Sequence, residues 1–395
     1  MKILRLIDTL DPRTGGPGVG VRAITPVLRA LGHETTILTC DLPTTIGVSV
    51  PGAEVVPLGP AKGSYRHCAA LRPWLRNNLA RFDAVFVHGL WQNPGRAIHI
   101  EARDHGVPYF VYPHGMLDPW FRRAYPAKHI KKWLYWQLVE RHVLRDAAAV
   151  MFTCDEERRL ARQSFSPYHC VERVVNYGTA GAPAGNSEKQ IAAWRKFYPA
   201  LGDRPFLLFL GRIHPKKGVD LLLHAYQKIV ASTDHPPALV IAGPAENQEL
   251  VQHLQAVAKT LPPNAAVYWP GLIQGDEKWG ALRSAEAFVL PSHQENFGLA
   301  VAEALAVGTP VLLSHQVNIW REIVEDQAGL AAPDTAEGTE TLLAQWQKLF
   351  PDQRSAMRVR AADSYSRRFN IDAVARSFVD VVQPFLRPTP ARVSL

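Results

Sequence analysis

The feature that most restricts how this chain can fold is a rhythm. Short β-branched and apolar runs recur between stretches of helical periodicity: KILRLI near residue 2, ETTILT near 34, EVVPL near 54, AVFVHG near 84, PYFVYP near 108 and AAVMFT near 148. Strands alternating with helices are the pattern of a parallel sheet covered on both faces. After VVNYGTAGAPAGNSEK the rhythm restarts with FLLFLG, ALVIAG, AVYWPG, AFVLPS and TPVLLS. The Gly/Ala/Pro/Ser-rich stretch 178–187 reads as a linker. At 395 residues the chain also exceeds what one hydrophobic core usually organises. The expectation is α/β, with two doubly wound Rossmann-like domains at 1–178 and 179–372. In such sheets ligands sit beyond the carboxyl ends of the strands, so the loops after the strands are the ones to read.

Composition narrows the function classes. The apolar fraction (47%) and charged fraction (20%) are those of an ordinary globular protein. MKILRLIDTL is interrupted by Lys2 and Arg5, unlike a signal peptide. No run approaches the roughly 18 to 20 apolar residues of a membrane span. The long uncharged stretch 304–320 is broken by Gly308, Pro310, His315 and Asn318. Cys40, Cys68, Cys154 and Cys170 form no C-x-x-C pair and read as reduced, partly buried thiols rather than a zinc site. Residues 1–185 hold 23 Lys and Arg against 15 Asp and Glu, whereas 186–395 balance at 21 of each. The whole formal +8 therefore falls in the first half. That excess suits an anionic partner such as a membrane surface or phosphorylated substrate, and is also what solubility alone would produce.

Two carboxylates stand out in ENFGLAVAEALAVGTPVLLS, residues 295–314. The segment is apolar on every side, and an unpaired buried carboxylate costs several kcal/mol. A helix from about Phe297 to Val307, stopped by Gly308 and Pro310, puts Glu295 at its mouth and Glu303 about two turns inside. Its early N–H groups are free donors, a seat for phosphate. A carboxylate beside such a seat suits hydroxyls such as a ribose diol; a glutamate bonded to a neighbouring loop is the equal alternative. A second loop favours the ligand reading. FLLFLGRIHPKKGVDLLLHA runs from strand through Arg212 and Lys217 into helix. A planar fork and a point charge on one sheet tip suit a diphosphate.

At these residues the chain resembles the GT-B-fold glycosyltransferases of family 4, which retain anomeric configuration and use nucleotide-sugar donors. Two glutamates with seven residues between match Glu295 and Glu303, and a G-R-hydrophobic-x-x-x-K-G loop matches GRIHPKKG. The resemblance covers nearly the whole chain. It implies two Rossmann-like domains facing across a cleft, with a C-terminal helix and tail, 373–395, crossing back to the first domain. It implies that Arg212 and Lys217 bind phosphate and that Glu303 holds the donor ribose. Glu295 and the backbone of Asn296, Phe297 and Gly298 would hold the donor sugar, Leu299 and Ala300 the phosphates, and Leu272 and Ile273 the base. Asparagine follows the first glutamate where the family often has glycine, so the identity of the sugar does not carry over.

The first half is less specific. TGGPGVG contains G-x-G-x-x-A at Gly18, Gly20 and Ala23, with Asp41 near the place of a ribose-binding acid. That is a dinucleotide fingerprint, but DTLDPRT intervenes after the strand, where the fingerprint should begin at once. A long glycine loop opening a helix, with Gly16 in it, is instead similar to the family's loop facing the donor phosphate and acceptor. YPHGMLDPW exposes His114 at a strand tip, where the family carries a histidine close to the transferred sugar. VFVHGLWQ offers His88 and Trp91 as acceptor-side candidates, Trp91 being equally a core tryptophan. The basic, aromatic stretch 118–147 is expected to be largely helical. Ile130, Trp133, Leu134, Leu138, Val143 and Leu144 partly form one stripe that would pack on the sheet. Alternatively, Arg122, Arg123, Lys128, Lys131 and Lys132 with Trp120 and Phe121 would meet a lipid headgroup region.

No D-x-D pair is present, so Arg212, Lys217 and helix N-termini would neutralise a leaving diphosphate without a metal. The reading is a retaining, metal-independent glycosyltransferase with no cofactor. It would move a sugar from a nucleotide diphosphate to a glycan or glycolipid hydroxyl in polysaccharide or lipopolysaccharide assembly. Its place would be the cytoplasm or the inner membrane face, and no nucleic acid is expected as partner. A sugar-nucleotide epimerase or hydrolase, and a non-catalytic nucleotide-sugar-binding scaffold, are the alternatives.

Overall fold

The computed structural model describes residues 1–11, 16–44, 49–183, 185, 187–245 and 247–386. The loop residues Thr14 and Gly15, the linker residues Ala184 and Asn186, and the tail 387–395 thus lie outside the described residues. The chain divides into two compact units, Met1–Gly178 with Ile371–Leu395, and Thr179–Asn370.

The first unit is built on seven strands: β1 (Lys2–Ile7), β2 (Glu34–Thr39), β3 (Ala53–Pro57), β4 (Ala84–His88), β5 (Tyr109–Tyr112), β6 (Ala149–Phe152) and β7 (Glu172–Val174). They are ordered β3-β2-β1-β4-β5-β6-β7, and every pairing is parallel. Because side chains alternate along a strand, β1 sends Leu4 and Leu6 into a core with Leu75, Ile98 and Val143. Ile3 goes to the opposite core with Leu28, Phe86 and Phe110. The helix Ile371–Val382 belongs to that second core, giving it Ile371, Val374, Ala375, Phe378 and Val382, a stripe at helical spacing.

The second unit has β8 (Phe206–Leu210), β9 (Ala238–Ala242), β10 (Val267–Gly271), β11 (Ala287–Leu290), β12 (Val311–Ser314) and β13 (Gly329–Ala332). Their order is β10-β9-β8-β11-β12-β13, again all parallel. β8, β9, β11 and β12 are buried throughout, as strands covered on both faces must be.

In each sheet the strand order reverses once, between β1 and β4 and between β8 and β11. Such a reversal leaves a crevice at the carboxyl edge because neighbouring loops depart to opposite faces. β7 and β13 escaped the sequence reading. ERV is short, and GLAA has neither β-branched nor aromatic residues.

Candidate active site

Of the residues singled out in the second half, Lys217 and Glu295 meet at the β8/β11 reversal, whereas Leu272 and Ile273 follow β10, two strands from β8. After β8 the chain runs through Gly211 and an exposed Arg212 into a short 3-10 turn, Pro215–Lys217. The imidazole of His214 caps this turn by accepting from the Lys216 N–H at 3.0 Å. Gly218 follows with φ 67°, and a Cβ there would meet the Pro291 carbonyl at 2.2 Å. Only glycine tolerates both the left-handed backbone and that approach. The loops after β8 and β11 are further tied by the His293 N–H donating to the Lys216 carbonyl at 2.7 Å.

That tie brings Lys217 onto Glu295, whose Oε2 accepts from the ammonium. Glu295 is itself fixed by its backbone, the N–H donating to Gln316 and the carbonyl accepting from Asn318. Asn318 also donates through its side chain to Asn296 at 3.3 Å. Gly298, at φ 78° and ψ 72°, turns the chain into the helix Leu299–Ala306. This helix starts two residues later than the expected Phe297. Phe297 is buried against Phe369, which pins the loop in place of a first helical turn. The N–H groups of Leu299 and Ala300 have no acceptor among the described residues, as expected of a first turn. Glu303 lies in this helix and meets Lys278, whose Nζ is 2.7 Å from Oε1. Both glutamate side chains keep about a fifth of their surface open, 21% for Glu295 and 20% for Glu303. Neither carboxylate is therefore buried and unpaired. After β10, Leu272 is exposed and Ile273 buried.

Nothing in the sequence pattern pointed to Lys278, because it lies on the helix Gly275–Ser284 and its ammonium also rests 4.4 Å from the Trp279 ring centre. Also unforeseen is His293, 3.1 Å from Asp334 and raised in pKa chiefly by that hydrogen bond. Among the described residues no cluster of three or more His, Cys, Asp or Glu side chains is arranged to hold a metal ion.

In the first unit, Gly16 opens the helix Gly16–Ala30. The glycines of the G-x-G-x-x-A pattern have packing reasons. A Cβ on Gly20 would collide with the Tyr177 ring at 2.0 Å, and one on Gly18 would touch the Thr9 carbonyl at 3.6 Å. Both carboxylate oxygens of Asp41 are engaged by its own neighbourhood, Oδ1 by Thr9 at 2.6 Å and Oδ2 by the Leu10 N–H at 3.0 Å. Asp41 is thus a loop anchor rather than a waiting ribose ligand.

His114 follows β5 with φ 51°, a strained value for a residue with a side chain. Its Nε2 lies 2.9 Å from His88 Nδ1, and His88 Nε2 lies 3.2 Å from an Arg5 Nη1. Burial, then Arg5, lowers the His114 pKa to about 3, and burial takes His88 well below its usual value. His88 is therefore corrected from acceptor-side candidate to a group behind His114. It is buried and both ring nitrogens are engaged.

Trp91 also departs from the expectation of a sugar platform. Its ring is hemmed by Tyr135, Trp136 and Phe165, with the Lys132 ammonium 4.9 Å from its centre. Its backbone N–H donates to Glu140, a carboxyl that burial pushes up to about 8.

The region 190–362 matches the family model described as glycosyl transferases group 1, and 15–176 matches the glycosyl transferase 4-like domain. The chain belongs to the family 4-type glycosyltransferases. This glycosyltransferase is 26% identical over 400 residues to a D-inositol 3-phosphate glycosyltransferase of Xylanimonas cellulosilytica, covering 96% of this chain and 94% of that one. It is 26% identical over 319 residues to the alpha-D-kanosaminyltransferase of Streptomyces kanamyceticus, covering 75% and 77%.

Among solved structures, Anabaena HepE in complex with UDP and glucose is similar in fold. Its TM-score is 0.72 at 16% identity, covering 97% of this chain and all (100%) of that one. WaaG, a glycosyltransferase of lipopolysaccharide biosynthesis, gives 0.66 at 17%, covering 96% and 99%. Both show the GT-B fold that the two parallel sheets of the glycosyltransferase present.

The basic aromatic stretch of the glycosyltransferase is helical at Trp120–Ala124, Pro126–Tyr135 and Arg141–Arg145, with a π-turn at Trp136–Glu140. Val143 and Leu144 pack on the sheet as expected, but Ile130, Trp133, Leu134 and Leu138 do not. They are 64%, 45%, 54% and 77% exposed. Trp136, Glu140 and Lys132 face inward instead, and the apolar stripe turns outward. Trp120 and Phe121 are only partly exposed, Phe121 lying beneath Lys132.

Proposed function

We propose that this glycosyltransferase is retaining and metal-independent, transferring a sugar from a nucleotide diphosphate to a hydroxyl of a glycan or glycolipid. The observation that carries the reading is the Lys217–Glu295 pair at the β8/β11 reversal, just before a helix whose first N–H groups are unfilled. A cation, a carboxylate and free amide donors within one loop suit a sugar diphosphate, with phosphate on the donors and hydroxyls on the carboxylate. In this proposal Lys217 and Arg212 take the diphosphate with the N–H groups of Leu299 and Ala300. Glu295 and the backbone of Asn296, Phe297 and Gly298 take the sugar. Glu303 takes the ribose hydroxyls, Leu272 and Ile273 border the base, and Gly16 lies near phosphate. His114 hydrogen-bonds a substrate hydroxyl.

The acceptor oxygen attacks the anomeric carbon on the face the leaving group departs from, and the carbon–oxygen bond to the diphosphate breaks. The acceptor proton passes to the departing diphosphate oxygen. The charge that develops on the leaving group is met by fixed donors that need no reorganisation. No enzyme nucleophile is required, and Glu295 binds rather than attacks.

The acceptor is proposed to belong to cell-surface polysaccharide or lipopolysaccharide assembly, reached from the cytoplasm at an anionic membrane face. What supports the membrane part is the outward stripe Ile130, Trp133, Leu134 and Leu138 with the exposed Arg122, Arg123, Lys128 and Lys131 around it. No helix of the described residues is long and apolar enough to cross a membrane.

The test is a thermal-shift screen of nucleotide sugars, since a ligand that binds only the native state raises its melting temperature. It is followed by product analysis with and without acceptor. A product with the donor's anomeric configuration, formed only with acceptor, is expected. Free sugar or an epimerised nucleotide sugar as the sole product would favour the hydrolase or epimerase alternative.

A further inference from the structure

The hydrogen-bond direction along Arg5, His88 and His114 can be assigned from chemistry alone. Arg5 is buried in the middle of β1, 2% exposed, with its guanidinium 5.3 Å from the Phe86 ring centre and 5.0 Å from that of Phe378. A guanidinium has five donors and no acceptor, and it stays protonated in proteins. The 3.2 Å contact with His88 therefore requires Nε2 of His88 to be the acceptor and to carry no proton. A neutral imidazole has one N–H, so His88 carries it on Nδ1. That N–H donates over 2.9 Å to Nε2 of His114, which must then be unprotonated in its turn. The single proton of His114 is left on Nδ1. A cationic His88 would set two donors against each other at the Arg5 contact, so the chain holds only in the neutral form.

We infer that Arg5 and His88 are positioning residues whose donor–acceptor chain locks His114 as its Nδ1–H form, giving it one hydrogen-bond donor of fixed direction for a substrate hydroxyl. The step toward the substrate rests on the proposed role of His114. The lock itself does not.

The surroundings favour the neutral state throughout. Burial and the nearby Arg5 charge both lower the pKa of His88 and His114. The rings stacked on or edged against His114 are those of His88, Tyr112 and Tyr177. Burial raises both tyrosine hydroxyls, Tyr112 to about 12, so neither supplies a carboxylate-like charge at neutral pH. The charge of Arg5 is met by ring faces and one imidazole nitrogen, with Nε and Nη2 buried and unpartnered among the described residues. A stability role alone would be poorly served by such a residue, because burying a charge without an ionic partner is costly. Strain at His114, held at φ 51°, points the same way, since strain of that kind persists where the surroundings over-determine it. The chain is also rigid at each joint: His88 ends β4, and His114 follows two residues after β5, the strand paired to it.

The experiment is nitrogen NMR of the intact protein labelled at histidine, on wild type, Arg5→Lys and Arg5→Met, alongside steady-state turnover. The wild type is expected to show His114 and His88 each with a protonated Nδ1 and a pyridine-like Nε2. Arg5→Lys, which also only donates, should keep that pattern and most of the turnover. Arg5→Met should mix the tautomers of both rings and lower kcat by about tenfold, the worth of one hydrogen bond, with nucleotide affinity unchanged. A protonated Nε2 on His114 in the folded wild type overturns the lock, and no variant is needed to see it. Unchanged turnover in Arg5→Met, with mixed tautomers and an impaired His114→Ala, overturns the positioning role. Full activity in His114→Ala instead overturns the substrate role of His114 and leaves the lock standing.

Discussion

Glu303 lies with its Oε1 2.7 Å from the Nζ of Lys278. The pair joins the helix Leu299–Ala306 to the helix Gly275–Ser284, which follows the loop containing Leu272 and Ile273. The lysine holds the carboxylate by one oxygen and leaves the second for a ligand. Glu303→Ala should weaken nucleotide binding by roughly 10- to 150-fold, the range for a hydrogen bond to a charged group. Glu303→Gln should lose less, since the amide oxygen still accepts. Calorimetry that gives wild-type affinity for a folded Ala variant removes Glu303 from the site.

Activity should survive chelation. Lys217, Arg212 and amide donors are proposed to supply what a divalent ion would, so exhaustive dialysis against EDTA should leave turnover within about twofold. In the same assay Lys217→Met should lower kcat/KM by about a hundredfold or more, as loss of a preorganised charge at a developing anion does. Abolition by EDTA and recovery with magnesium would show that the cation set is incomplete.

His114→Ala should lower kcat and kcat/KM together by roughly tenfold or more while nucleotide affinity holds, the mark of an interaction made in the transition state. Apart from Gly16, the proposed nucleotide ligands all belong to 179–370. Wild-type kinetics would make His114 a structural residue.

Glu140 gives a pH signature in stability. Its folded-state pKa is pushed up to about 8 by burial, against an ordinary value of 4.5. Between those values the folded protein holds a proton that the unfolded chain has released. Stability should therefore fall as pH rises from about 4.5 to about 8, by at most ~1.4 kcal/mol per pH unit. Above that range this contribution is flat. Glu140→Gln, whose amide oxygen can still accept from Trp91, should lack this decline and exceed wild type at pH 8. Parallel melting curves across pH would count against a protonated Glu140.

Membrane contact should follow the outward stripe. Replacing Ile130, Trp133, Leu134 and Leu138 by Ser should abolish co-sedimentation with anionic liposomes. Replacing Arg122, Arg123, Lys128 and Lys131 should weaken it by about 1 kcal/mol per charge. Lys132 is excluded from the set because it lies over Trp91 and Phe121. High salt should reverse binding. Wild type that ignores anionic liposomes at low salt favours a soluble acceptor.

The strands readable in the sequence were those whose residues state a preference, such as FLLFL and AVFVH. GLAA became β13 only because β12 offered it an edge to pair with. Glu295 and Lys217 were visible because each sits in a loop with its own signature, although 78 residues separate them. Lys278, Arg5 and Asp334 were invisible for the opposite reason: each sits in an ordinary helix, strand or loop, and its meaning comes from a partner brought by tertiary packing. The outward stripe was misread because periodicity reports that a face is apolar, not which way the face points. Here Trp136 and Glu140 are the buried positions and the stripe of Ile130, Trp133, Leu134 and Leu138 is exposed.

The helix Ile371–Val382 places Phe378 4.8 Å from Phe86, ring to ring, in the core that β1 begins. In the order of synthesis, Thr179–Asn370 is thus a complete unit inserted into an incomplete one. During translation the second unit has all its strands before the first can close its core, and the whole of Thr179–Asn370 is made before Ile3, Phe86 and Phe110 receive their cover. At about 5–20 residues per second that is tens of seconds of exposed apolar sheet. The half of the chain made first is the half finished last, and chaperone dependence should concentrate there.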